Sequence, residues 1–202
     1  KTTLFNIELM KLLNENNKNI ELVILNGDVL HVPSLDKWRA VDNFMDKLQL
    51  DYIVVPGNHD VEFGDNSLRD IFKISFNQKF PLNLNDSIIS DYKISAYDST
   101  ENYGKINLKS LNIEKKNIII QHHSPIIELD EIANSLQNLK LIEFDELSKK
   151  FIEETIFIVG DFGIHTSFLC IEKNNLKIIG SGLGKDNEEI LIFSNDVLKE
   201  NP

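Results

Sequence analysis

The chain reads as an α/β protein built on parallel strands, and three observations lead there. Short, wholly apolar runs recur: the segment ending Leu22-Val23-Ile24-Leu25, then Tyr52-Ile53-Val54-Val55, Ile118-Ile119-Ile120 and Ile156-Phe157-Ile158-Val159. Such runs suit strands covered on both faces, as in parallel sheets. Stretches with helical spacing stand between the first of them, which is the alternation of α/β units. Each run also stops at turn-forming or polar residues, so its carboxyl end is sharply marked.

Taken in order, residues 1–14 carry Leu4, Phe5, Ile7, Leu9, Met10, Leu12 and Leu13 at near-helical spacing. They are expected to form a helix packed on a sheet. A polar turn follows, then the strand that delivers Asn26-Gly27-Asp28. Residues 35–48 repeat the helical spacing through Leu35, Trp38, Val41, Phe44, Met45 and Leu48, with Trp38 and Phe44 expected in the core. The Tyr52–Val55 strand ends in Pro56-Gly57-Asn58-His59-Asp60. Short alternating stretches occupy residues 72–98, among them Tyr92-Lys93-Ile94-Ser95-Ala96-Tyr97. The run from Asn117 ends in Gln121-His122-His123-Ser124-Pro125. Residues 129–153 are expected to be mainly helical, with Glu143, Asp145 and Glu146 on a solvated face. The Ile156–Val159 run ends in Gly160-Asp161-Phe162-Gly163-Ile164-His165. Strand-like stretches at 167–172, 176–180 and 190–193, with Asn174-Asn175 between the first two, predict antiparallel hairpins. No repeat, low-complexity tract or linker interrupts residues 1–202, which read as one domain.

Composition narrows the function. A formal net charge of −11 opposes non-specific attachment to nucleic acid or anionic membranes. It leaves open a small phosphorylated substrate, because bound dications reverse the local potential. No apolar run approaches the ~20 residues of a membrane span. No leader is visible, so the cytoplasm is the default location, although the chain opens Lys1-Thr2-Thr3 without Met. Cys170 is the single cysteine, so an intrachain disulfide is impossible; within Phe168-Leu169-Cys170-Ile171 it is expected to be a buried, inert thiol.

The chemistry lies at the strand ends. Asp28, the Asn58-His59-Asp60 group, the His122-His123 pair, and Asp161 with His165 each follow an apolar strand. Ligands bind outside the carboxyl ends of strands in open α/β sheets, so these clusters are expected to converge. Imidazole, carboxylate and amide donors without thiolate suit manganese, iron or zinc rather than a cysteine-zinc site. Each cluster alone is as well explained by a turn or a cap. It is their order along the chain that carries weight. His31 is expected to be a loop histidine, and Ser181-Gly182-Leu183-Gly184 a turn rather than a phosphate loop.

Gly27-Asp28, Gly57-Asn58-His59-Asp60 thirty residues on, a His-His-x-Pro and a Gly-Asp-x-Gly-x-His together resemble the calcineurin-like metallophosphoesterase family over nearly the whole chain. The resemblance implies a four-layer α/β/β/α sandwich with a two-metal centre. It implies hydrolysis of a phosphomonoester or phosphodiester by a metal-bound hydroxide, with two dications about 3.5–4 Å apart. Asp28 would bridge the metals and Asn58 would bind one. His59 would donate a proton or contact phosphate, since imidazole titrates near neutrality, and Asp60 would orient it. His123 is the preferred ligand of its pair, with His122 in reserve.

Two departures qualify the likeness. The family's first-strand Asp-x-His has no counterpart before Asp28 and is expected upstream of Lys1. The last family motif, Gly-His-x-His, reads Gly160-Asp161-Phe162-Gly163-Ile164-His165, so Asp161 stands for the first His and His165 falls two places late. These departures motivate the alternative of a non-catalytic domain that keeps the fold and binds a ligand or partner. Retention of His59 favours the enzyme. Substrate, metal identity and oligomeric state are not encoded in these motifs.

Overall fold

The computed structural model describes residues 11–15, 17–30, 32, 34–47, 50–61, 88–89, 91–100, 105, 107–129, 141–161 and 169–180. The chain divides into two compact units, Lys1–Leu82 and Asn83–Pro202.

In the first unit, residues 11–15 are helical, the described part of the expected first helix. Strand β1, Val23–Asn26, pairs in parallel with β2, Tyr52–Val55, in the register Val23↔Tyr52 to Asn26↔Val55. Helix α1, Leu35–Met45, connects them. Its start is fixed chemically: Ser34 Oγ accepts from Lys37 N at 3.3 Å, an N-cap that satisfies a donor the first turn leaves open. The helix ends at Met45, short of the expected Leu48, and residues 46–47 form a turn. Its apolar stripe puts Trp38 and Met45 with Leu30 and Val54 in one cluster, against which Phe44 and Val41 pack. Both aromatic residues expected in the core are therefore there. Helix α2, Asn58–Val61, is a single turn following β2.

The second unit is a six-stranded sheet in the order β3-β4-β5-β6-β8-β7. Its strands are β3 (Ile88–Ile89), β4 (Tyr92–Ala96), β5 (Asn117–His123), β6 (Thr155–Asp161), β7 (Leu169–Lys173) and β8 (Leu176–Gly180). The four central strands run parallel and the two edge strands antiparallel. The expected C-terminal hairpin is β7–β8, turned at Asn174, whose φ of 53° lies in the left-handed region that Asn tolerates. Strand β8 also lies parallel to β6, so the hairpin completes the parallel sheet.

One face of this sheet carries Ile119, Phe157, Val159, Leu176 and Ile178, packed with Ile126, Leu129, Leu147 and Phe151. Burial of each such side chain contributes about 1.5–3 kcal/mol. Helix α3, Phe144–Ser148, adds Leu147 to that core.

Two expectations are corrected here. In its described residues, 129 and 141–153, the segment expected to be mainly helical is less so than its spacing suggested. Within its described part, α3 stops at Ser148, and Ile152 N and Glu153 N both donate to Ile113 O, so a tertiary contact replaces continued helix. Cys170 is exposed rather than buried: among the described residues β7 ends the sheet, and its Cys170, Glu172 and Lys173 all reach solvent. The acidic group behaves as expected: Asp145 meets Lys173 and Glu146 meets Lys150, all at the surface. No helix among the described residues is long and apolar enough to cross a membrane. The expected strand at 190–193, His31 and the Ser181–Gly184 stretch lie outside the described residues.

Candidate functional site

In the first unit the site is built on two strand ends. Beyond β1 the backbone turns sharply, with Gly27 at φ 78° and Asp28 at φ 50°. Glycine takes this left-handed conformation freely, and Asp is among the few others that tolerate it. The turn brings Asp28 Oδ1 to His59 N, which donates at 3.0 Å. Asp60 is fully buried, and its carboxylate spans the two loops: Oδ1 accepts from Leu30 N at 2.8 Å and Oδ2 from Gly57 N at 2.9 Å. The loops after β1 and β2 are thus laced together by two carboxylates, and Asp28, Asn58 and His59 sit on the laced segments. Asn58 Oδ1 is buried and has no hydrogen-bond partner among the described residues. A buried amide oxygen left unpaired costs free energy, and a cation would satisfy it.

In the second unit the site lies at the carboxyl ends of β4, β5 and β6. Strand β5 runs on through His123, past the apolar run, because His123 continues the ladder opposite Asp161. His122 and His123 are 1% and 2% exposed, and their rings meet edge to face with centroids 4.9 Å apart. The ligand atoms of His122, His123 and Asp161 all lie within 4.8 Å of one another. Donors around an ion at ~2.1 Å stand at most ~4.2 Å apart, so a small side-chain adjustment suffices to close on one. Gln121, also buried, donates from Nε2 to His123 O at 2.8 Å.

Ser99 is a residue that the strand-end reading passed over. It is 2% exposed, its Oγ lies 2.9 Å from His123 Nδ1, and it accepts from His123 N at 3.1 Å. The signal was the polar triplet Asp98-Ser99-Thr100 after an alternating strand, at the same sheet end as the histidines.

Of the residues expected at the site, Asp28, Asn58, His59 and Asp60 are thus gathered in one unit, and His122, His123 and Asp161 in the other. His165 lies outside the described residues. The nitrogen and oxygen donors, two of them nearly fully buried histidines, fit a borderline dication and not a thiolate-bound one.

Comparison with known proteins agrees with this chemistry. The curated relatives include a probable cyclic nucleotide phosphodiesterase of Ruthia magnifica subsp. Calyptogena magnifica, 24% identical over 151 residues, covering 71% of this chain and 63% of that protein. Another from Xenorhabdus bovienii (strain SS-2004) is 27% identical over 147 residues, covering 64% and 58%. The chain therefore spans 58–63% of the length of these two relatives. Among solved structures, phosphopantetheinyl hydrolase (PptH) from Mycobacterium tuberculosis superposes with a TM-score of 0.50 at 11% identity, over 82% of this chain and 80% of that one. That likeness bears on the fold, which is of the metallo-dependent phosphatase type. The family model of the calcineurin-like phosphoesterases matches residues 6–185, and by that match the chain belongs to this family.

Proposed function

We propose that the chain hydrolyses a phosphate ester of a small molecule, in dependence on two bound divalent metal ions. The observation that carries the reading is the His122–His123–Asp161 donor group, its two histidines buried, at the strand ends of a chain in a phosphoesterase family. Asp28, Asn58, His122, His123 and Asp161 are assigned to hold the metals, with His165 as a further donor. Manganese, iron and zinc all suit this donor set. The metals, when bound, would offset charge on the phosphoryl oxygens and lower the pKa of the attacking water.

The chain's own groups do the rest. The Asp28 carboxylate meets the backbone of His59, so the segment that holds metal also fixes the segment that carries the imidazole. His59 is assigned to protonate the leaving oxygen or to contact phosphate. Asp60 holds that loop through Gly57 N and so positions His59. A phosphodiester is the first substrate to try, since the relatives are named as cyclic nucleotide phosphodiesterases. The net charge of −11 favours a small phosphorylated molecule over a long nucleic acid.

The test is metal content of the purified protein, with turnover of a cyclic nucleotide, an aryl phosphodiester and an aryl phosphomonoester. Wild type is compared with Asp28→Asn and His59→Ala. Near two equivalents of metal are expected, with turnover lost in both variants and metal retained in His59→Ala. A folded protein that holds no metal and turns over none of the three substrates would refute the enzyme and favour the non-catalytic domain.

A further inference from the structure

We propose that Ser99 is a positioning residue that fixes which ring nitrogen of His123 faces the metal. The inference rests on the metal-centre reading above. A serine hydroxyl has two acceptor lone pairs. In this structure Ser99 Oγ accepts the backbone N–H of His123 at 3.1 Å and lies 2.9 Å from Nδ1 of the same residue. One oxygen therefore holds the histidine at two points, backbone and ring. A neutral imidazole that ligates through one nitrogen carries its proton on the other, and the partner of that second nitrogen sets the tautomer. In the proposed arrangement Nδ1 carries the proton and donates to Ser99 Oγ, which leaves Nε2 as the nitrogen that takes the metal.

Ser99 is itself held. Tyr97 N donates to Ile120 O, which continues the β4–β5 ladder one step beyond β4. Asp98 Oδ1 accepts from both Thr100 N at 2.9 Å and Thr100 Oγ1 at 2.6 Å, closing a turn around Ser99. Ser99 and Thr100 are 2% and 0% exposed, so water does not compete for the serine hydroxyl. Such anchoring suits the proposed role, because a ligand ring that rotates loses the ordered geometry on which affinity depends.

The experiment is a zinc titration of the full chain, followed by long-range proton–nitrogen NMR of the His123 ring. It is run on wild type, Ser99→Ala, Ser99→Gly and Ser148→Ala. Ser148 is a matched control, a serine 1% exposed whose hydroxyl donates to Asp145 O. In wild type, the His123 signals are expected to shift with zinc while Nδ1 keeps its proton. Both Ser99 variants are expected to need about 10–100-fold more zinc for the same shift. Ser148→Ala should stay within about threefold of wild type, the margin of an indirect effect. If Ser99→Ala does not fold, Ser99→Gly decides by the same titration. Wild-type uptake with Ser99 variants unchanged, or with zinc on Nδ1, overturns the role of Ser99 and leaves the metal centre standing. A folded wild type whose His123 signals ignore zinc overturns both.

Discussion

Replacing Asp60 by Asn tests how the loops after β1 and β2 are held together in the first unit. The substitution keeps the side chain's shape and removes its charge. Asp60 is fully buried, and each carboxylate oxygen accepts one backbone N–H, from Leu30 at 2.8 Å and Gly57 at 2.9 Å. Hydrogen bonds to a charged acceptor contribute about 1.5–3 kcal/mol each. In Asn, one oxygen becomes an NH2 that faces a donor, so one bond is lost and a buried N–H is left unsatisfied. The expected destabilisation is about 2–4 kcal/mol. The assay is urea unfolding followed by the fluorescence of Trp38. It is the only tryptophan in the chain, and it packs with Leu30 in the first unit's core, so it reports on the loop in question. The free energy in water follows by linear extrapolation. A loss below about 0.5 kcal/mol, the range of ordinary surface substitutions, would refute the clamp.

Three further outcomes are expected. Burial, then the hydrogen bond and charge of Glu154, then the charge of Asp91, push the Tyr92 phenol well above its ordinary value. Its stabilising contribution is complete below the unfolded pKa of ~10 and declines as pH rises from there toward the folded value, because the unfolded chain ionises first. Urea unfolding from pH 8 to 11.5 should therefore show a steeper alkaline decline in wild type than in Tyr92→Phe, and equal slopes would contradict the assignment. Phe157 is fully buried and packs edge-on against Phe151 at 6.2 Å, so Phe157→Ala should cost about 3–5 kcal/mol by circular dichroism on denaturant unfolding. Cys170 should react fully with a chromogenic disulfide reagent in native buffer, at a rate near that of the denatured chain; protection beyond about tenfold would mean the edge strand is covered.

Much of the fold was legible because its signals are local. Strands β2 and β8 have the bounds expected from the sequence, since each apolar run is flanked by residues that break it: Pro56-Gly57 after one, Asn174-Asn175 before the other. The carboxyl ends of β5 and β6 were placed short. Their last residues are polar, and what extends the strands is backbone pairing of His123 with Asp161, to which hydrophobic patterning is blind. Cys170 shows the complementary limit. Alternation identified its strand correctly, but exposure depends on whether that strand is internal or at the edge, and order in a sheet is set by long-range pairing.

The same boundary divides the site. The strand-end placement of Asp28, Asn58 and His59 was legible because strand ends confine chemistry to a few positions, and Gly27-Asp28 and Gly57-Asn58 announce their own turns. Ser99 was not, because in Asp98-Ser99-Thr100 a serine reads as a turn residue whatever it touches. Its partner His123 stands 24 residues away, across β4–β5 pairing that sets Ala96 beside Ile120. Only that register carries the loop after β4 to the end of β5. Asp60 follows the same logic: the family resemblance gave it His59 to orient, and the parallel pairing of β1 with β2 adds Leu30 N as a partner. The candidate donor types are therefore local information, whereas the groups that hold them in place are properties of strand register, and a substitution at Ser99 or Asp60 is expected to act on the candidate donors without replacing one of them.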